Sequence, residues 1–123
     1  MLIVFAVALS MRLIIFVIDP YYWEPWEDSA EYDRIAWNLI NGRGYSMDDK
    51  PPYQPTAYRP PTYPFFLASI YRVIGRNYRA VKFIQAFIDS ITCLLFYLIA
   101  RRLFPPREAF TAGILIAGWP SLA

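Results

Sequence analysis

Hydrophobic positions in this chain fall in blocks, not in a steady alternation. Residues 2–18 form one long apolar run and 81–104 a second, a third opens near Ala109, and eight of the ten acidic residues lie between Asp19 and Asp49. A bilayer core about 30 Å thick needs roughly 20 residues of helix. The pattern therefore predicts a first transmembrane helix over 1–18, an external loop over 19–80, a second transmembrane helix over 81–104 and the start of a third over 108–123. A cleaved signal peptide also opens on a short apolar core. Here, however, no basic stretch precedes the run and no small-x-small cleavage site follows it at Ile18-Asp19-Pro20-Tyr21-Tyr22-Trp23, which favours a retained span.

The loop has its own organisation. Tyr21, Tyr22, Trp23 and Trp26 form an aromatic cluster of the kind that settles at lipid headgroups. Asp28-Ser29-Ala30-Glu31 reads as a capping box, with Asp28 at the N-cap. Tyr32, Ile35, Ala36, Leu39 and Ile40 then recur at spacings of one, three and four, predicting an amphipathic helix over 28–41 that ends at Asn41-Gly42. Asp33, Arg34 and Asn38 are expected largely off its apolar face, with Asp33 on a solvated face. Such a helix is too short to cross a bilayer and suits the membrane surface. Residues 42–64 are rich in proline, which denies both helix and central strand and predicts a proline-rich loop. A second interfacial helix is expected over 63–74, stopped by Gly75.

In the short turn after the second span, Arg101, Arg102 and Arg107 favour the cytoplasmic side, which places 19–80 outside the cytoplasm. Arg76, Arg79 and Lys82, at the other end of that span, pull the opposite way. The last run holds only the residues from Ala109 to Ala123 and no terminal anchor, so further chain is expected to follow.

Composition sharpens this picture. Of 123 residues, 57% are hydrophobic, 19% aromatic and only 18% charged, too apolar for an ordinary soluble domain. The expected fold is an all-α membrane protein: transmembrane helices with a long external loop carrying interfacial helices. It is expected to be integral and multi-pass, in the inner membrane if the source is prokaryotic. The net charge of +2 without a long basic cluster argues against nucleic acid. Histidine is absent and Cys93 stands alone, which excludes disulfides and His/Cys metal sites within the chain.

By pattern alone the charged residues have ordinary readings. Asp28 is an N-cap worth about 1 kcal/mol, and Arg59 is a loop surface charge. Asp33, five residues past Asp28, points elsewhere on the helix. Asp89 and Gln85 share a face inside the second span, where a buried carboxylate serves helix packing or a substrate cavity. Cys93 reads as a packing or lipid-facing residue.

Three strings change the weighting: Asp28-Ser29-Ala30-Glu31-Tyr32-Asp33-Arg34-Ile35-Ala36, Gly42-Arg43-Gly44-Tyr45 and Arg59-Pro60-Pro61-Thr62-Tyr63-Pro64. Together they resemble the first external loop of GT-C glycosyltransferases, and are most similar to the protein O-mannosyltransferase-like and aminoarabinose lipid A transferase-like families. The resemblance implies that Asp28, in an Asp-x-x-x-Tyr pattern with Tyr32, is the catalytic carboxylate, with Glu27 completing the acidic pair. It implies that Arg59, where some members carry lysine, contacts the lipid phosphate, and that Tyr63 lies in the same substrate-binding loop. The implied reaction is inverting sugar transfer from a polyprenyl-phosphate donor to a lipid, protein or glycan acceptor. Family members have many more spans, so the chain is expected to be an amino-terminal part, inactive by itself.

The chemistry suits the residue types. A carboxylate can take the proton of an attacking hydroxyl, and a guanidinium can stabilise charge growing on a departing phosphate. The expected partners are the lipid-linked donor, membrane lipids and the remaining transmembrane helices. No cofactor is expected and no divalent metal is indicated. Two other classes fit the pattern: a non-catalytic membrane subunit whose loop binds lipid headgroups or a partner, and part of a transporter, suggested by Asp89 and Gln85.

Overall fold

The computed structural model describes residues 1–18, 25 and 27–119. The described residues are helical and without strands: α1 (Leu2–Ile18), α2 (Asp28–Ile40), α3 (Thr62–Ile74), α4 (Tyr78–Leu103) and α5 (Pro106–Ala117). The expected headgroup cluster at Tyr21, Tyr22, Trp23 and Trp26 lies outside the described residues, as do 120–123. The chain divides into two compact units, one of residues 1–22 with 82–123 and one of residues 23–81.

The first unit packs α1, α5 and most of α4. At 26 residues, α4 is about 39 Å long and apolar enough to cross a bilayer, whereas the 17 residues of α1 reach about 25 Å. Val4 and Ala8 of α1 meet Cys93, Tyr97 and Ala100 of α4 and Ala109 and Ala117 of α5 in a buried core. Small side chains at such contacts let helix backbones approach. Gly113 shows why: a Cβ there would stand 3.1 Å from the Tyr97 ring and 3.3 Å from a Val4 methyl. Phe87, Ile91, Leu95, Phe96 and Ile99 of α4 stay exposed, the surface a spanning helix presents to hydrocarbon.

A charge sits inside this apolar unit. Arg12, in mid-α1, is buried and ion-paired with Asp89 of α4. It also donates from Nη1 to the carbonyls of Ala8 (2.9 Å) and Ala117 (2.8 Å) and from Nη2 to Cys93 Sγ (3.4 Å). Ala117 is the last residue of α5, whose terminal carbonyls lack helical partners, so one guanidinium joins three helices where the dipole of α5 favours a cation. Asp89 thus serves helix packing here, and Cys93 is buried, not lipid-facing.

The second unit packs α2 against α3. Ala36 of α2, Leu67, Ala68 and Tyr71 of α3 and Val81 form its core, flanked by Tyr32, Leu39, Tyr63 and Phe66. Gly75 ends α3 at φ 78°, a conformation side chains resist, while its N–H closes on Tyr71 O at 2.9 Å. Asn77 then caps α4, its Oδ1 accepting from Ala80 N at 3.1 Å.

Two expectations about α2 are corrected. Asp33 is not solvated: it is 3% exposed, as is Asn38. The polar side of α2 is covered, because Asp33 accepts from the Tyr71 hydroxyl and pairs with Arg76, while Asn38 Nδ2 donates to the carbonyls of Ser46 (2.8 Å) and Asp48 (3.0 Å) and so fastens the proline loop. Nor is there a capping box. Glu27, at φ 45°, occupies the N-cap, no side chain caps the first turn, and Asp28 is the first helical residue. The side chains of Asp28 and Glu31 are both engaged by Arg59 instead.

Candidate active site

Asp28, Glu31 and Tyr32 stand at positions i, i+3 and i+4 of α2, so they share one face at its first turn. Across from them the proline loop delivers Arg59. Its backbone is fixed where the Tyr45 hydroxyl donates to Arg59 O at 2.8 Å, and Pro60 and Pro61 follow it into α3.

The Arg59 guanidinium donates from Nε to Glu31 Oε2 at 2.6 Å and from Nη2 to Asp28 Oδ1. Its Cζ lies over the Tyr32 ring, 5.3 Å from the ring centre, and over the Tyr58 ring at 5.0 Å, so the cation makes two cation–π contacts. Tyr63 meets Tyr32 edge-on at 5.1 Å, and Phe66 stacks on Tyr63 at 6.1 Å. This aromatic wall ties the cation to the core of the α2/α3 unit.

The electrostatics are uneven. Two carboxylates face one guanidinium, an excess of one formal negative charge. The hydrogen bond to Glu31, then that to Asp28, holds the Arg59 proton more tightly than usual. Burial raises the pKa of Tyr45, with Tyr32 adding a smaller effect, so its hydroxyl stays protonated as the donor to Arg59 O. The side chain of Arg59 is 16% exposed and that of Glu31 28%, against 73% for Asp28. The site therefore offers a braced cation beside an open carboxylate: the carboxylate can accept a proton and the guanidinium can stabilise developing negative charge.

Of the residues expected from sequence, Asp28, Tyr32, Arg59 and Tyr63 come together. Glu27 does not join them; it is exposed at the N-cap, and its side chain makes no ion pair among the described residues. Glu31 and Tyr58 were not anticipated as site residues. Their signals were present, since Glu31 follows Asp28 at the i+3 spacing that shares a face and Tyr58 adjoins Arg59.

A family model described as dolichyl-phosphate-mannose-protein mannosyltransferase matches residues 58–123. The chain belongs to this family. Its members are membrane glycosyltransferases of the mannosyltransferase type, and the matched stretch carries Arg59, Tyr63, α3, α4 and α5. Asp28, Glu31 and Tyr32 precede that stretch and are tied to it through Arg59. Comparison with curated proteins and with solved structures gives no match.

Proposed function

We propose that this chain carries the catalytic loop of a glycosyltransferase that moves a sugar, mannose by family, from a polyprenyl phosphate to an acceptor hydroxyl with inversion. Asp28 accepts the acceptor's proton as its oxygen attacks the anomeric carbon from the face opposite the phosphate. The bond between that carbon and the phosphate oxygen breaks, and Arg59 receives the charge left on polyprenyl phosphate. Tyr32 and Tyr63 wall the site. The acceptor is a protein, glycan or lipid hydroxyl. The protein is multi-pass, residues 19–80 lie on the non-cytoplasmic side, and α2 and α3 rest at the membrane interface, where a lipid-borne phosphate is found.

The observation that carries this reading is the ion pair between Asp28 and Arg59, residues 31 positions apart in sequence. It is tested in the full-length protein in proteoliposomes with polyprenyl-phosphate-mannose as donor. Asp28→Asn is expected to lower kcat by about a hundredfold or more, the usual contribution of a general base, with normal membrane expression. Undiminished transfer by this variant removes Asp28 from the mechanism.

A further inference from the structure

The two carboxylates on Arg59 are not equivalent. Glu31 holds Nε at 2.6 Å from a largely covered side chain, one turn into α2. Asp28 holds Nη2 from the first helical position, with its side chain 73% exposed. Among the described residues no acceptor meets Nη1.

A guanidinium grips an oxoanion by two parallel N–H groups, and the Nη1/Nη2 edge is the one Glu31 leaves open. An oxoanion there lies beside the Asp28 carboxylate on the same nitrogen. One guanidinium then faces three anionic groups, and like charges at that separation repel. The anion that yields is the one that water can solvate at once, which is Asp28. Glu31 stays, because Arg59 is held over the Tyr32 and Tyr58 rings with its Nε hydrogen-bonded to Glu31.

We infer that Glu31 is the positioning residue of this site and Asp28 its exchangeable partner, so that arrival of the donor phosphate on Arg59 releases Asp28 to act as the base. In the donor-free state the base is tied up by its own cation; binding the donor arms it. The inference rests on the function proposed above and adds to it an order of events and a role for Glu31. The hydrogen bond from Arg59 to Glu31 is also the first cause of that guanidinium's raised proton affinity, ahead of the bond to Asp28.

The experiment compares Glu31→Ala, Glu31→Gln and Asp28→Asn in the full-length protein in proteoliposomes. It measures binding of polyprenyl phosphate itself, together with KM and kcat for polyprenyl-phosphate-mannose. Glu31→Ala is expected to weaken polyprenyl phosphate binding and raise KM by about tenfold, the loss of preorganisation, while kcat changes far less. Glu31→Gln, whose amide oxygen still reaches Nε, restores most of that binding. Asp28→Asn binds polyprenyl phosphate as tightly as the parent or more so. Tighter binding in both Glu31 variants makes Glu31 a competitor and overturns the inference, as does weakened binding in Asp28→Asn. If Glu31→Ala does not fold, Glu31→Gln decides by itself: binding near the parent value supports the positioning role, and tightened binding overturns it. Failure of the parent reading is separate, since it shows as retained transfer in Asp28→Asn whatever Glu31 does.

Discussion

At the scale of single residues, buried charge is met by designated partners, and each pairing has a measurable consequence. Asp33 is held by the Tyr71 hydroxyl and by Arg76, whose guanidinium lies over the Trp37 ring at 5.2 Å. Tyr71→Phe removes one donor from a buried carboxylate and is expected to cost about 1.5–3 kcal/mol, the range for hydrogen bonds to charged groups, read as a lower melting temperature in detergent. Burial first, then the bond to Asp33, raises the Tyr71 pKa above its ordinary 10.0. The folded chain therefore keeps that proton where the unfolded chain gives it up. Its stabilising contribution is complete below about pH 10 and is lost as the pH climbs from there toward the folded value. A pH series of melting temperatures should show a decline above pH 10 that is shallower in Tyr71→Phe; an identical decline in both contradicts this role. The sequence concealed this residue because Asp33 belongs to the polar stripe of an amphipathic pattern, and only the fold reveals that α3 and Arg76 cover that stripe.

At the scale of elements, helix packing in the first unit depends on a cation that an apolar run disguises. Arg12 is one charged side chain in α1, and hydropathy averaged over the run conceals it; its meaning comes from Asp89, 77 residues away. Breaking a buried pair from one side leaves the other charge uncompensated, so Asp89→Leu is expected to cost about 3–5 kcal/mol, whereas Arg12→Leu/Asp89→Leu together recover much of that loss. Thermal stability of the purified protein in detergent is the readout, and a double variant no better than the single one contradicts the staple. Gly113 makes a second point of close approach. Gly113→Leu overpacks the contact with Tyr97 and Val4, with an expected loss of about 1–3 kcal/mol by the same assay. Helix positions themselves were legible from apolar runs and punctuation: α4 starts at Tyr78, earlier than the expected 81, because Asn77 caps it, and α5 ends at Ala117, where Gly118 follows. The capping-box reading of Asp28 and Glu31 failed because the spacing that lets two side chains reach helix amides also lets them share a face, and Arg59 supplied the stronger partner.

At the scale of the whole molecule, the family match and the all-helical fold describe a membrane glycosyltransferase, and the proposed orientation puts the α2/α3 unit outside the cytoplasm. Tyr58, 70% exposed beside Arg59, offers a test: Tyr58→Cys in the full-length protein should react with a membrane-impermeant maleimide added from the non-cytoplasmic side, and labelling only from the cytoplasmic side reverses the orientation. The identities of Asp28 and Arg59 could be taken from family resemblance, but their contact could not be read from the sequence, because it forms only when a proline loop fastened through Asn38 and Tyr45 folds back onto α2. Whether those two groups act on one bond is tested most directly by a double-mutant cycle on kcat/KM for polyprenyl-phosphate-mannose, using Asp28→Asn, Arg59→Ala and both together. Groups working as one unit give strongly non-additive losses, so the double variant is expected to lose far less than the product of the two single losses. Losses that multiply independently would contradict a shared site.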